Sequence, residues 1–294
     1  MTKPSIGFIG LGLMGGAMVH RLIDLGYSLT VIANRNRTYV DEAVARGASE
    51  AKTARELAAT SEIIMFCMDT SHSVESRVYG EDGVLAGAAE GALIIDFGTS
   101  LPGSTKKIGE DAAAKGIHYM DAPLGRTPSH GREGKLNIMG AGDQSDYARA
   151  KPVLDDLGEN VFHVGPLGAG HTLKLINNFY AMTTAMAMSE AFAMADLAGL
   201  KRETLYEVMS AGPLKSGMMD FIKAHAVDGD MQLAFSVANA GKDVGYYGKM
   251  ADDFGVPSQM GGAAKNVLGV AKAQGFGDHM VPEMVDWFAE LFKK

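Results

Sequence analysis

Gly7-Phe8-Ile9-Gly10-Leu11-Gly12-Leu13-Met14-Gly15, taken with the residues on either side, decides the fold. The apolar run from Ile6 to Ile9 has the length and composition of a buried strand. Behind the glycines, Met14, Met18 and Leu22 recur every fourth residue until Gly26 stops the pattern, which is one face of a helix. A G-x-G-x-x-G placed between a strand and a helix has a mechanical reading. Gly10 allows the tight turn, Gly12 lets the backbone approach a pyrophosphate, and Gly15 lets helix and strand pack closely. The amides of the first helical turn, around Leu13 and Met14, then face the phosphates. Alone the pattern is also compatible with a glycine-rich turn; its position at the start of a strand-helix-strand unit favours dinucleotide binding.

Outward from this stretch, β-rich runs alternate with helical runs up to about residue 165. The strands are expected at Ile6–Gly10, Leu29–Ala33, Glu62–Met68, Ala92–Phe97, His118–Asp121, Leu136–Gly140 and Val161–Val164. Ser100 is expected to cap a helix with Pro102 in its first turn. Alternation of this kind indicates βαβ units and a mostly parallel sheet. After Pro166-Leu167-Gly168-Ala169-Gly170 nearly everything reads as helix, over 171–198, 202–210, 214–227, 240–254, 263–273 and 281–293. The fold class is therefore α/β, an N-terminal Rossmann doubly wound sheet (1–165) followed by an all-α C-terminal domain (166–294) for substrate and oligomerisation. Two cores suit a chain of 294 residues. Met182, Met186, Met188 and Met194 make the first long helix apolar around much of its surface. It is expected to be the spine of the second domain and part of a subunit interface in a homodimer or homotetramer.

Bulk composition excludes several function classes. Hydrophobic content of 47% with 21% charged residues is that of an ordinary globular protein. A formal charge of −8 argues against a phosphate-backbone binder, which needs a clustered basic face, so no nucleic acid partner is expected. The single cysteine, Cys67, cannot close an internal disulfide, and Met1 to Gly10 lacks the regions of a signal peptide, so the expected compartment is the cytoplasm. Glu190 and Asp196 interrupt the longest apolar stretch, and no membrane span is expected. The eight histidines are scattered without acids at ligand spacing, so no metal site is expected.

The second strand ends in Ala33-Asn34-Arg35-Asn36-Arg37, with no acid for the ribose hydroxyls of NAD. Asn34 and Arg35 are candidate cofactor contacts, and an arginine fork there accepts a 2′-phosphate. The cofactor leans to NADP, with NAD as the alternative; solvated loop arginines are the bland reading. Asp41 falls within the next helix and is a poor substitute. Ligands of open α/β sheets lie at the carboxyl ends of strands, which places Met68 and Thr99 beside the cofactor. Cys67 has no basic neighbour in sequence that favours a thiolate, so packing explains it better than nucleophilic chemistry.

Gly168-Ala169-Gly170-His171-Thr172-Leu173-Lys174-Leu175-Ile176-Asn177-Asn178 opens the long helix, and Lys174 and Asn178, four apart, share a helical face. An amine beside an amide suits a carbonyl oxygen that gains a proton as it receives hydride, although a solvated lysine at a helix start is the plain alternative. The chain resembles the β-hydroxyacid dehydrogenases, the group of 3-hydroxyisobutyrate dehydrogenase and tartronate semialdehyde reductase, nearly end to end. The resemblance is carried by Gly7 to Gly15, by Asp121 to Gly142 (DAPLGRTPSHGREGKLNIMGAG), by Gly168 to Asn178 and by Gly241 to Gly245 (GKDVG). It implies hydride transfer between a nicotinamide cofactor and a short anionic β-hydroxyacid or its semialdehyde. It further implies a catalytic Lys174, a substrate-holding Asn178, Lys242 near cofactor and active site, and Thr99 on the nicotinamide half. Without the resemblance, Lys242-Asp243 is only a helix-surface pair.

One departure is informative. Many members carry Ser-Gly-Gly where this chain has Gly125-Arg126-Thr127, and the segment grips the substrate's carboxylate. The Gly-Arg-Thr form resembles that of sulfolactaldehyde reductases, in which arginine and threonine hold a sulfonate. Gly125, Arg126 and Thr127 are thus the expected anion anchor, and a structural ion pair is the other explanation for Arg126. Two rivals remain beside a sulfolactaldehyde reductase specifically. Imine reductases share the architecture but generally replace the lysine, and non-catalytic dinucleotide-binding modules have usually lost it.

Overall fold

Side chains of successive strand residues enter two separate apolar cores. Phe8, Val31, Ile63, Met65, Leu93 and Ile95 fill one, while Ile9, Ile32, Ile64, Phe66 and Ile94 fill the other. A strand whose two faces are both covered carries an unbroken apolar run, which is why Ile6–Ile9 and Ile63–Phe66 are buried at every position. The structure, a computed structural model, describes residues 3–34 and 36–293.

Six strands form a wholly parallel sheet in the order β3-β2-β1-β4-β5-β6. They are β1 (Ile6–Ile9), β2 (Leu29–Ile32), β3 (Ser49–Ala51), β4 (Ile63–Phe66), β5 (Leu93–Asp96) and β6 (His118–Asp121). The intervening helices are α1 (Leu13–Asp24), α2 (Thr38–Ala45), α3 (Ala54–Ala59), α4 (Ser71–Val78), α5 (Val84–Gly87) and α6 (Pro102–Ala113). The order reverses between β1 and β4, so the loops after these two strands flank the switch point of the sheet.

A second, three-stranded sheet departs from the single sheet expected. In it β7 (Leu124–Gly125) pairs antiparallel with β8 (Leu136–Gly140), which pairs parallel with β9 (Gly158–His163); α7 (Pro128–Glu133) and α8 (Gln144–Leu157) lie between them in sequence. The edge strand β3 is missing from the sequence expectation because Ser49-Glu50-Ala51 has no buried residue. Ser100 is not the cap of α6. The N-cap is Leu101, Pro102 does open the helix, and the Ser100 hydroxyl donates to Asp96 Oδ2 at 3.0 Å.

The rest of the chain is helical: α9 (Ala169–Leu197), α10 (Arg202–Ser210), α11 (Gly217–Ala226), α12 (Val237–Asp253), α13 (Gln259–Ala271) and α14 (Met284–Phe292). Several boundaries differ from expectation: α13 starts four residues earlier than 263 and α14 three later than 281, and at two others a serine cap fixes the start. Ser216 and Ser236 accept from Met219 N and Asn239 N, so α11 starts three residues later and α12 three residues earlier than apolar periodicity alone indicates. Met182, Met186, Phe192, Val244, Leu268, Met284 and Phe288 form the core of this region. The compact units are Met1–Lys174 and Leu175–Lys294, and α9 runs unbroken through the boundary. No helix among the described residues is long and apolar enough to cross a membrane.

Candidate active site

The glycine loop leaves β1 at the switch point. Gly10 has φ +100°, a conformation open to glycine, and a Cβ on Gly15 would lie 2.0 Å from Gly10 O. Strand end and helix start therefore touch backbone to backbone. Nothing lies within 4 Å of where a Gly12 Cβ would be, so that backbone faces open space ahead of the amides of Leu13 and Met14 at the start of α1. Around it is a cleft of about 460 Å³ whose wall includes Gly10, Leu11, Gly12, Asn34, Asn36, Met68, Asp69, Ser73 and Arg77. An open backbone cradle at a helix N-terminus, with strand ends on both sides, fits a dinucleotide and its pyrophosphate.

At the end of β2, Asn34 lines the cleft and Arg35 lies outside the described residues. Arg37 does not support the NADP lean. Its guanidinium is shared between Asp41 Oδ1 at 2.9 Å and both oxygens of Glu50 at 2.9 and 3.0 Å, and it holds the Glu50 carboxyl below its usual range. Cys67 is partly buried under the cleft. Burial, reinforced by Asp96, pushes its thiol up to about 12. Only thiolate reacts with a disulfide reagent, so at pH 8 the reactive fraction is on the order of 10⁻⁴. Native protein with dithionitrobenzoate at pH 8 is expected to release almost no colour over minutes, and one equivalent after unfolding; rapid native labelling would contradict the burial argument.

Beyond β5 and β6 lies a buried polar cluster that sequence reasoning missed. Asp96, fully buried, accepts from Gly98 N at 2.8 Å as well as from Ser100, which braces the loop carrying half-buried Thr99. Asp121 receives Gly168 N and His171 N, one on each carboxylate oxygen, both at 2.7 Å. It is thus the cap of α9, the helix that carries Lys174. A Cβ on Gly170 would fall 2.8 Å from Asp121 Oδ2, so the glycine makes room for the cap. Burial raises the Asp121 carboxyl above its usual range, opposed by His171 and the two amides. His171 has no exposed surface; its Nδ1 is 2.7 Å from Thr105 Oγ1 and its Nε2 is 3.7 Å from Asp96 Oδ2. Lys174, half-buried, follows one turn later.

Gly125 ends β7 opposite Asn137, and Thr127 is the N-cap residue of α7 with its hydroxyl 2.7 Å from His130 Nδ1. Between them Arg126 has φ +76°, the one non-glycine residue with positive φ among the described residues. Its Nη1 donates to Lys135 O at 2.7 Å and to Glu159 Oε2 at 2.5 Å. Part of the guanidinium thus serves a structural ion pair, while Nε and Nη2 make no hydrogen bond among the described residues.

In the second unit Asn178 is buried, and its Nδ2 donates to Asp243 Oδ2 at 2.6 Å. Its Oδ1 accepts from Asn177 Nδ2 at 3.1 Å. Lys242 lies 3.0 Å from the other oxygen of Asp243 and 5.4 Å from the centroid of the Tyr246 ring. Asp243 is only 2% exposed, so Lys242-Asp243 is not a surface pair. A buried acid among Ala240, Gly241, Val244 and Gly245 on α12 is the signal that could have marked it. Among the described residues no group of three His, Cys, Asp or Glu could hold a metal ion.

The chain matches two family models: the NAD binding domain of 6-phosphogluconate dehydrogenase over residues 5–165, and the NAD-binding domain of NADP-dependent 3-hydroxyisobutyrate dehydrogenase over residues 168–288. It is 32% identical to 2-(hydroxymethyl)glutarate dehydrogenase of Eubacterium barkeri, covering 92% of this chain and 90% of that protein. It is also 32% identical to 3-sulfolactaldehyde reductase of Escherichia coli strain K12, covering 98% and 94%. The solved structure of Mycobacterium tuberculosis 3-hydroxyisobutyrate dehydrogenase with L-serine shares the fold, with a TM-score of 0.87 over 97% of this chain and 99% of that one at 24% identity.

Proposed function

From the premise that the chain belongs to the β-hydroxyacid dehydrogenase family, we propose that it interconverts a short anionic β-hydroxyacid and its semialdehyde with NADP(H). It is a nicotinamide-dependent oxidoreductase. The observation that carries the finer reading is the glycine loop together with a capped helix bearing Lys174 and, one turn on, Asn178. The nicotinamide, when bound, supplies or accepts the hydride. Lys174 donates a proton to the carbonyl oxygen in reduction and takes it back in oxidation, the work of a general acid and base. Asn178, held by Asp243, orients the substrate through its amide. Residues 1–165 are assigned to the dinucleotide and residues 166–294 to substrate and oligomerisation. Gly10, Gly12, Leu13, Met14, Gly15, Asn34, Arg35, Met68, Thr99 and Lys242 are assigned to the cofactor. The absence of a carboxylate after β2 supports NADP.

Gly125, Arg126 and Thr127 are assigned to the distal anion. An arginine at φ +76° costs roughly 1 kcal/mol or more relative to glycine, a cost the chain bears where a glycine would suffice for the backbone. The free edge of its fork suits a sulfonate or a carboxylate. Exposed apolar side chains along α9, among them Leu173, Ile176, Tyr180, Met194 and Leu197, support a homodimer or homotetramer. The single cysteine supports the cytoplasm as compartment.

The test is reduction of sulfolactaldehyde, tartronate semialdehyde, succinic semialdehyde and methylmalonate semialdehyde, each with NADPH and NADH, by wild type and Arg126→Gly. NADPH is expected to be preferred. Arg126→Gly is expected to raise KM for the preferred substrate about tenfold, the worth of one charge-assisted pair, with little change in Tm, because relief of the positive φ offsets the loss of the solvent-exposed pair with Glu159. Brisk turnover of a carboxylate substrate with sulfolactaldehyde inert sinks the sulfonate reading. An unchanged KM in Arg126→Gly sinks the anchor.

A further inference from the structure

We propose that Arg77 is a specificity-determining residue, whose guanidinium binds the adenosine 2′-phosphate that distinguishes NADP(H) from NAD(H). The proposal rests on the NADP reading and extends it to a residue on a different element from the β2 loop.

Three observations converge on Arg77. First, it is the only basic side chain among the described residues lining the cleft, and Ser73, one turn earlier on α4, lines it too, so this face of the helix is turned to the cleft. The same lining includes Asn34 and Asn36, just past the end of β2, where the adenosine ribose of a dinucleotide seated on Gly10–Gly15 falls. Second, the charges around it leave room for an anion. Asn34 and Asn36 are neutral, and Asp69, the one carboxylate on the wall, is engaged in an interaction of its own. Third, Arg77 is half-buried and makes no ion pair or hydrogen bond among the described residues, whereas Arg37, the other arginine near the β2 end that the structure describes, is spent on Asp41 and Glu50.

A planar fork with unspent donors recognises a phosphate with two parallel bonds. Arg77 also stands in the last turn of α4, where a positive charge favours the helix dipole. That effect accounts for its sign but does not discriminate between two dinucleotides.

The test is calorimetric titration of wild type and Arg77→Ala with NADPH, NADH, 2′,5′-ADP and 5′-AMP. Arg77→Ala is expected to weaken NADPH and 2′,5′-ADP about 10–100-fold, the range of a hydrogen bond to a charged group, and to leave NADH and 5′-AMP within about twofold. The unchanged NADH affinity also shows that the variant is folded. If Arg77→Ala keeps the wild-type ratio of NADPH to NADH affinity, the role of Arg77 is overturned while the NADP reading stands. If wild type binds NADH as tightly as NADPH, the NADP reading falls and the role of Arg77 falls with it.

Discussion

Lys174→Ala is expected to lower kcat by about 10²–10⁴-fold, the usual share of a positioned acid or base, while NADPH affinity stays within about twofold. The split follows from where the lysine stands. The residues assigned to the pyrophosphate are backbone amides of the β1–α1 loop, whose geometry is fixed by contacts among Gly10, Gly15 and Cys67. None of these contacts involves Lys174. The lysine belongs to α9, which is fastened by Asp121. Removing its amine takes away the proton donor without touching the nucleotide loop. Lys174→Arg keeps the charge but holds its proton at every accessible pH, so it is expected to be nearly as impaired; a merely structural lysine would be rescued by arginine. Turnover is measured by NADPH absorbance and affinity by calorimetry, and normal turnover in Lys174→Ala rules out the assignment.

The parts of this picture that were legible in the sequence are those encoded by residue type over a short span. Gly10 and Gly15 state a backbone requirement that only glycine meets, Gly12 keeps the space before the helix open, and five residues of spacing suffice to read all three. Lys174 and Asn178 are one helical turn apart, so their shared face follows from periodicity. The resemblance to the family raised both above the many lysines and asparagines that merely face solvent. What was not legible depends on pairings far apart in the chain. Asp121 meets His171 at a separation of 50 residues and Asn178 meets Asp243 at 65, and no periodicity connects them. Ser100 looked like a helix cap because Pro102 follows it, but the buried Asp96 competes for its hydroxyl. The strands β3 and β7 escaped notice because three and two residues carry too few apolar positions to form a pattern. Arg126 shows the same limit in another form. Its positive φ is a property of the turn, and nothing about an arginine announces it.

Asp121→Ala is expected to lower the apparent Tm by about 5–10 °C, from a loss of about 3 kcal/mol or more. Both carboxylate oxygens are occupied by α9 amides at 2.7 Å in a site with no exposed surface, so no water replaces them. Alanine leaves Gly168 N and His171 N as buried donors without an acceptor and removes the negative charge that the N-terminus of a 29-residue helix favours. It also leaves the His171 ring, 3.8 Å from Asp121 Oδ2, with one acidic neighbour, Asp96, instead of two. Asp121→Asn rescues only in part, since its Oδ1 still accepts from one backbone donor while its amide group puts a donor against the other. Both variants are therefore expected to melt early, alanine more so than asparagine. The consequence for chemistry follows from position. Lys174 stands one turn beyond the capped amides, so loosening that turn blurs the placement of its amine, and a displacement of about 1 Å at a reacting group can cost on the order of 10²-fold in rate. In the folded fraction of either variant kcat is expected to fall while NADPH affinity is retained. Melting within 2 °C of wild type, or equal losses in kcat and NADPH affinity, would show that Asp121 does not act through α9.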